Sequence, residues 1–585
     1  MACVADLGFS VVVFLLDDMR ADQLPVLALT NARLADHAVV FDRAYVTVPM
    51  CCPERASFLS GGFLPQYTGV LTNEAPRGGA TLFPDSMTLA TTLQAAGYAT
   101  TLNGKYLNEY NLMDLYVPPG WTRWSAVAEG DPWTDFDVSV GESTPDAPGI
   151  AVQMPVSGYV TDWQGGATSR FIEDHPDQPL FAYVSFRAPH APHEPAIEDV
   201  GAFSGMLYRG GAWQEADVSD KPAWIQAIPM WTPEEVALRD IENEQRLETL
   251  LSVDRAIIEV LDTLEAEGRL ESTIVVLTSD NGQQWGEHRL GEKGVGYEES
   301  VRMPLVIWNP AFAGRHTDAL VATNLDLAAT VTDVAGLPAR GEGESLLPVV
   351  CAETDEARDF VPLQLWPYMD PPWAGVVTQR WKYIETATGE TELYDLPADP
   401  TEAQSVSGVA ENQIIMEELS EKLDSVRGLQ ITTTTVPEGS AGAPYSTALD
   451  AWGGEPPYHW AVVGGNLPAG LTLGQDGLVT GIPGAGGTEL VSVVVTDAGI
   501  SPFDGRAQSD QRKLLFVVRP NGSAKTKEEC GCGDGAVAVA GLAALSGLAW
   551  RRRRQPPVQS SLDAVAPPLA QAVRTGRPEL ARDAP

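Results

Sequence analysis

The 585-residue sequence predicts an α/β fold. A mostly parallel sheet flanked by helices leads into a smaller α+β subdomain, an all-β sandwich and a hydrophobic segment near the C terminus. Three observations carry this. The runs VVVFLL (11–16), LFAYVSF (180–186) and TIVVLTS (273–279) are short, β-branched and apolar throughout, as strands buried on both faces are. A long amphipathic stretch precedes the third run, and strand, helix, strand in that order favours parallel pairing beneath covering helices. Past about residue 345 the pattern changes, and past about 440 short strands are cut by Gly and Pro turns.

Each element has a local reason. In VPMCCPERASFLSGG (48–62), Pro53 suits the first turn of a helix and sets Cys51 and Cys52 at or just before its cap. Adjacent cysteines bridge only under strain, so cross-linking does not account for the pair. Burial of both in a core is the alternative, and it leaves Pro53 and Arg55 unexplained. Before the third run, Leu247, Leu250, Leu251, Ile257, Ile258, Leu261 and Leu264 recur mostly at three- and four-residue spacing, until Gly268 ends the helix. AGVVTQRWKYIE and ETELYDL read as two antiparallel strands joined at Thr388-Gly389, followed by a polar helix at 410–426. TTTTVPEGSAGAP is a linker by composition, and YHWAVV, GLTL, LVSVVVTD and KLLFVVRP read as strands of a β-sandwich. The expected boundaries are 8–340 for the first domain, 341–430 for its subdomain, 431–443 for the linker and 444–520 for the sandwich. A hydrophobic segment at 528–554 and a disordered Pro/Ala-rich tail at 555–585 follow.

Composition narrows the function. A net charge of −41 argues against nucleic-acid binding, because no basic face easily outweighs it. Six cysteines in 585 residues are too few for a disulfide scaffold. The uncharged run 535–550 falls short of the roughly 20 residues that span a bilayer, yet the four arginines behind it read as a cytoplasmic stop. An Ala/Gly-rich helix of a soluble domain is the alternative.

The chemistry gathers at strand ends. The first run leads into Asp17-Asp18, the third into Asp280-Asn281, the second into RAPH ending at His190, and GYATTLNGK ends at Lys105. Ligands of open parallel sheets collect beyond the carboxyl ends of the strands, so these segments address one region. Three carboxylates and an amide oxygen make a hard shell suited to Ca²⁺ or Mg²⁺ rather than zinc. Turn residues at strand ends are the alternative for either pair taken alone. The helix that starts at Cys51 adds free amides and positive potential, with Arg55 one turn in.

At these residues the chain resembles a type I sulfatase of the alkaline-phosphatase-like superfamily. Cys51-x-Pro53-x-Arg55 matches the signature whose first cysteine becomes Cα-formylglycine. LLDDMRAD, GKYLNEY, YVTDW, FRAPHAPHEP, SDNGQQWGEHRLGEKGVGYEESVRMPLVI and ELYDLPADP are similar to further family stretches, over about residues 10–425. CCPER followed by GKYLNEY is most like the N-acetylglucosamine-6-sulfatase branch. The resemblance implies that Asp17, Asp18, Asp280, Asn281 and the formylglycine at Cys51 hold one Ca²⁺. It also implies that Arg55 holds the formylglycine, that Lys105 and Lys293 bind sulfate oxygens, and that His190 lies at the ester oxygen. A hydrated aldehyde then offers a metal-activated hydroxyl that attacks sulfur, and its second hydroxyl lets sulfate leave, which a serine there does not allow. Cys52 is expected to pack as a small neighbour.

The chain departs from the family pattern at Glu54, where serine is frequent, and at Leu107, where many relatives carry histidine. His288 is expected to be structural and Trp285 to stand near the substrate mouth. Trp121, Trp124 and Trp133 are offered both to sugar stacking and, more readily, to packing. Residues 436–520 resemble an Ig-like repeat of bacterial surface proteins, and 530–554 a MYXO-CTERM sorting tail. The implied partners are a sulfated carbohydrate, a formylglycine-generating enzyme during maturation and the sorting machinery, with no nucleic acid. The implied location is the cell surface, with a signal peptide expected upstream of Met1. Beside sulfate ester hydrolysis stand two other readings: a phosphonate monoester or phosphodiester hydrolase of the same superfamily, and an inactive surface carbohydrate-binding protein.

Overall fold

The computed structural model describes residues 8–127, 133–355, 358–365, 371–502 and 505–521. The expected hydrophobic segment, the sorting tail and the last 31 residues lie outside these. No helix among the described residues is long and apolar enough to cross a membrane.

Ten strands build the central sheet. In chain order they are β1 (Ser10–Leu16), β2 (Ala38–Phe41), β3 (Ala99–Gly104), β4 (Arg123–Val127), β5 (Thr134–Gly141), β6 (Val152–Tyr159), β7 (Leu180–Ser185), β8 (Thr273–Ser279), β9 (Leu305–Trp308) and β10 (Arg315–Thr317). Their order across the sheet is β10-β2-β9-β8-β1-β7-β3-β4-β5-β6. The middle strands β8, β1, β7, β3 and β4 are parallel, with Val13 facing Tyr183 on one side and Val276 on the other. Strands β9, β5 and β6 join antiparallel, so the sheet is mixed.

Both faces of β1 are buried, and alternate residues enter different cores. Val11, Val13 and Leu15 pack with helices α1 (Cys51–Leu59) and α4 (Thr323–Val334). Val12, Phe14 and Leu16 pack with α2 (Val160–Asp174) and α3 (Pro233–Ala266). A strand covered on both sides has no polar face, which is why its sequence reads apolar at every position.

Helix α3 begins earlier than its apolar stripe suggests. Thr232 accepts from the Glu235 amide at 3.2 Å while the Glu235 carboxylate accepts from the Thr232 amide at 2.7 Å, and Pro233 takes the first helical position. That box starts the helix in polar sequence, before any residue needs the core.

In the subdomain, AGVVTQRWKYIE is not one strand but two. Trp373–Val377 and Trp381–Thr386 form a hairpin, flanked by Val361–Leu365 and Thr391–Asp395 in a four-stranded antiparallel sheet. Helix α5 (Gln413–Asp424) packs on it through Leu419 and Leu423. Beyond lie a four-stranded and a three-stranded sheet of the all-β module, whose core includes Trp460, Val479, Val493 and Phe516. Of the expected linker, Ile431 and Gly439–Ser440 sit in short strands at its two ends. Arg77 of the first domain pairs with buried Asp510 of this module at 3.1 Å.

Candidate active site

Strands β1, β3, β7 and β8 end side by side, so Asp17-Asp18, Lys105 and Asp280-Asn281 leave the sheet together. Helix α1 delivers Cys51 to the same place. Met50 is its extended cap, so Cys51 and Cys52 are the first two helical residues and Pro53 the third, still in the first turn but with both cysteines inside the helix rather than at its cap. Every residue of α1 is buried. Gly104 is required just before Lys105, because φ is +116° there and a Cβ would lie 2.0 Å from both the Ser185 carbonyl and Gln164 Nε2.

The side chains meet closely. The Cys51 thiol lies 3.4 Å from Asp17 Oδ1 and 3.9 Å from Asp18 Oδ1, and Lys293 Nζ is 2.7 Å from its sulfur. Lys293 donates to Asp18 at 2.5 Å and Lys105 to Asp17 at 2.7 Å. Arg55 grips Asp280 through Nε and Nη2, both at 2.8 Å, and donates to the Lys105 carbonyl and the Ser185 hydroxyl. His190 donates from Nδ1 to the Ala191 carbonyl at 2.6 Å, leaving Nε2 3.7 Å from Asp18 Oδ2. All nine metal and catalytic candidates from the sequence are thus brought into one cluster of contacting side chains.

Burial opposes ionisation of Asp17, but Lys105, His190, Arg55 and Lys293 outweigh it and hold its carboxyl well below the usual range. Burial and then Asp17 push Asp280 up, with Arg55 opposing. Burial also raises the Cys51 thiol well above its ordinary value, against the pull of Lys105 and Lys293. An unmodified Cys51 is therefore a protonated thiol rather than a ready nucleophile. Glu54, the departure from the signature, is buried, and burial followed by Asp280 raises its carboxyl well above normal.

The residues fit a hard cation. Asp17, Asp18, Cys51 and His190 each offer an atom within 4.8 Å of the others. Asn281 is fully buried, its Nδ2 donates to Asp18 Oδ1 at 2.5 Å, and its Oδ1 has no partner among the described residues. Buried carboxylates beside an orphaned amide oxygen are oxygen donors of the kind Ca²⁺ and Mg²⁺ take. Asp280 stands just behind, accepting from the Asp18 amide at 3.1 Å.

Other expectations divide. His288 is fully buried, hydrogen-bonded to Glu215 at 2.8 Å and packed on Tyr297, a structural place. Trp121, Trp124 and Trp133 are core residues, which removes the sugar-stacking option. Trp285 is buried too, between His193 and the Arg246 guanidinium, and it lines a cavity with Arg20, Tyr208 and Asn243. Cys52 is buried, and its amide donates to Asn73 at 2.9 Å. Sequence reasoning missed Ser185 and Arg246, whose Nη2 donates to the Asp18 carbonyl. A signal for Arg246 existed: it continues the apolar stripe of Leu250, Val253 and Ile257.

The family model described as Sulfatase matches residues 10–337, more than half of the chain. The chain belongs to the sulfatase family. The model described as N-sulphoglucosamine sulphohydrolase, C-terminal, matches 286–428, and that described as Putative Ig domain matches 425–504. Among sulfatase relatives, the N-acetylglucosamine-6-O-sulfatase of Bacteroides thetaiotaomicron is 28% identical over 469 residues, covering 68% of this chain and 81% of that one. The extracellular sulfatase SULF-1 homolog of Drosophila melanogaster is 29% identical over 60% of this chain. The chain spans 52% and 32% of the Caenorhabditis elegans and Drosophila homologs it matches, about half their length or less. A solved structure described as a complex with its substrate D-glucosamine-2-N,6-O-disulfate superposes with TM-score 0.62 at 24% identity, over 72% of this chain and 97% of that chain. The alkaline-phosphatase-like fold with its Ig-like module is thereby established, while the sorting tail lies outside both the described residues and the matched models.

Proposed function

We propose that the chain hydrolyses sulfate esters of a sulfated carbohydrate, with a glucosamine-type sugar as the preferred class. One observation carries the reading: Cys51 opens a buried helix with its sulfur against Lys293, Asp17 and Asp18. When in place, formylglycine made from Cys51 and a bound Ca²⁺ supply a hydroxyl nucleophile of lowered pKa. Asp17, Asp18, Asp280 and Asn281 would hold the ion. Arg55 orients Asp280 and fixes the backbone of Lys105. Lys105 and Lys293 converge from two loops, where they neutralise charge on sulfate oxygens as it develops. Nδ1 of His190 is committed to a carbonyl, so Nε2 is the atom that hands a proton to the departing sugar oxygen.

The sugar class is supported by the 6-O-sulfatase relative and by the disulfated glucosamine bound in the related structure. Export and surface attachment through 528–554 are supported by the extracellular names of two relatives and by the tail's composition. Fractionating cells that make the chain with and without 528–585 tests attachment. For the activity, protein co-produced with a formylglycine-generating enzyme is compared on an aryl sulfate and an aryl phosphodiester. Faster turnover of the sulfate is expected. A phosphodiester preference transfers the chain to the alternative hydrolase class, and no turnover of either by modified protein defeats the enzymatic reading.

A further inference from the structure

We infer that Arg246 is a positioning residue for the candidate metal site: it caps the Asp18 carbonyl and so holds Asp18 in the conformation that presents its carboxylate to the site. The inference rests on the reading of Asp18 as a metal ligand.

Asp18 has φ of +71°, in the left-handed region that non-glycine residues rarely occupy. Such a conformation persists only where surrounding contacts over-determine it. Glycine would take this φ freely, but it would bring no carboxylate. Asp18 is therefore tied at every polar group. Its amide donates to Asp280 Oδ1 at 3.1 Å, and its carboxylate accepts from Asn281 and Lys293, each at 2.5 Å. Its carbonyl accepts from Arg246 Nη2.

Arg246 has no other evident reason to be there. Its side chain is fully buried on α3, in the stripe of Leu250, Val253 and Ile257. Nε and Nη1 have no hydrogen-bond partner among the described residues, and the guanidinium lies 5.0 Å from the Trp285 ring. Asp18, Asp22 and Glu287 attract the guanidinium, but among the described residues it hydrogen-bonds none of their carboxylates, and a buried charge so placed is costly to keep. Among the described residues its one hydrogen bond goes to the strained residue of the site. Trp285, whose Nε1 donates to the Arg239 carbonyl at 3.3 Å, walls the guanidinium in and fixes its direction.

Two physical effects of Arg246 on a bound cation have opposite signs, which makes the idea testable. Its positive charge beside Asp18 repels a cation, so if charge ruled, removing it would tighten binding. Its hydrogen bond orders a ligand, so if positioning rules, removal weakens binding.

The test uses the full chain stripped of divalent ions, with Ca²⁺ affinity read by calorimetry and folding checked by circular dichroism. Wild type, Arg246→Met, Arg246→Lys and Asp17→Asn are compared. Arg246→Met is expected to bind Ca²⁺ about 10- to 100-fold more weakly, as loss of an outer-sphere partner does. Arg246→Lys, which keeps the charge and one donor, is expected to fall between it and wild type. Should Arg246→Met fail to fold, Arg246→Lys is read alone, and several-fold weakening supports the inference. Wild-type affinity or tighter in the folded variant overturns it. Wild type that binds no Ca²⁺, or Asp17→Asn that binds as well as wild type, strikes the metal reading itself.

Discussion

Replacing Arg55 by methionine removes the cation that four buried groups share. Arg55 is fully buried, with Nε and Nη2 at 2.8 Å from Asp280 Oδ2, Nη2 at 3.8 Å from Asp17, and Nη1 at 3.2 Å from the Lys105 carbonyl. Methionine keeps much of the apolar stem but leaves Asp280 buried against Asp17 and Asp18 with no guanidinium. Breaking a buried pair from one side costs about 3–5 kcal/mol, because the remaining charge is uncompensated. The metal-free protein is the right reference, since a cation would take over part of that compensation.

The penalty depends on pH, and its sign can be worked out. Burial and Asp17 already raise Asp280 above the ordinary carboxylate value, and losing Arg55 raises it further. A carboxyl whose folded pKa is raised favours the fold while protonated and loses that contribution as pH rises through the folded pKa. The deficit of Arg55→Met relative to wild type therefore grows as pH rises from the ordinary carboxylate range toward neutrality. Urea unfolding followed by tryptophan fluorescence reads this, taken on the transition of the catalytic domain because a multidomain chain need not unfold in one step. A deficit under about 1 kcal/mol at pH 7, or one that grows as pH falls, would refute the reasoning.

Two further outcomes follow from the same geometry. His190→Gln is expected to slow hydrolysis of a sugar sulfate by about 10²- to 10⁴-fold, and of an aryl sulfate much less, since a phenolate leaves without a proton; equal losses would remove His190 from the acid role. Gly104→Ala forces a Cβ to 2.0 Å from the Ser185 carbonyl at φ +116°, so the fold should lose roughly 1–3 kcal/mol and Lys105 should shift. Wild-type stability and activity in that variant would contradict the account of the β3 terminus.

Legibility in the sequence followed burial. The runs at 11–16, 180–186 and 273–279 showed their strands because both faces of each are covered. The antiparallel entry of β9 was not visible, since LVIW reads the same in either direction. Strand β6 is mostly exposed and carries no apolar periodicity to read. The hairpin inside AGVVTQRWKYIE escaped notice because its turn at 378–380 is Thr-Gln-Arg, without Gly, Pro or Asn. The site was legible in outline for a topological reason: parallel strands place their last residues together, so Asp17, Lys105 and Asp280 could be grouped before any distance was known. Ser185 and Arg246 stayed hidden because their roles lie in contacts across 130 and 228 positions of sequence.

The central claim is that residue 51, remade as an aldehyde and set against a cation, cleaves the sulfate ester. Sulfate released from D-glucosamine-2-N,6-O-disulfate is measured for co-matured wild type and for Cys51→Ala, with the mass of the peptide containing residue 51 taken from the same preparations. The account predicts release by wild type, none by Cys51→Ala, and a wild-type peptide lighter by a sulfur and two hydrogens less one oxygen. Release by Cys51→Ala at the wild-type rate, or by wild type whose Cys51 remains an intact thiol, would contradict it.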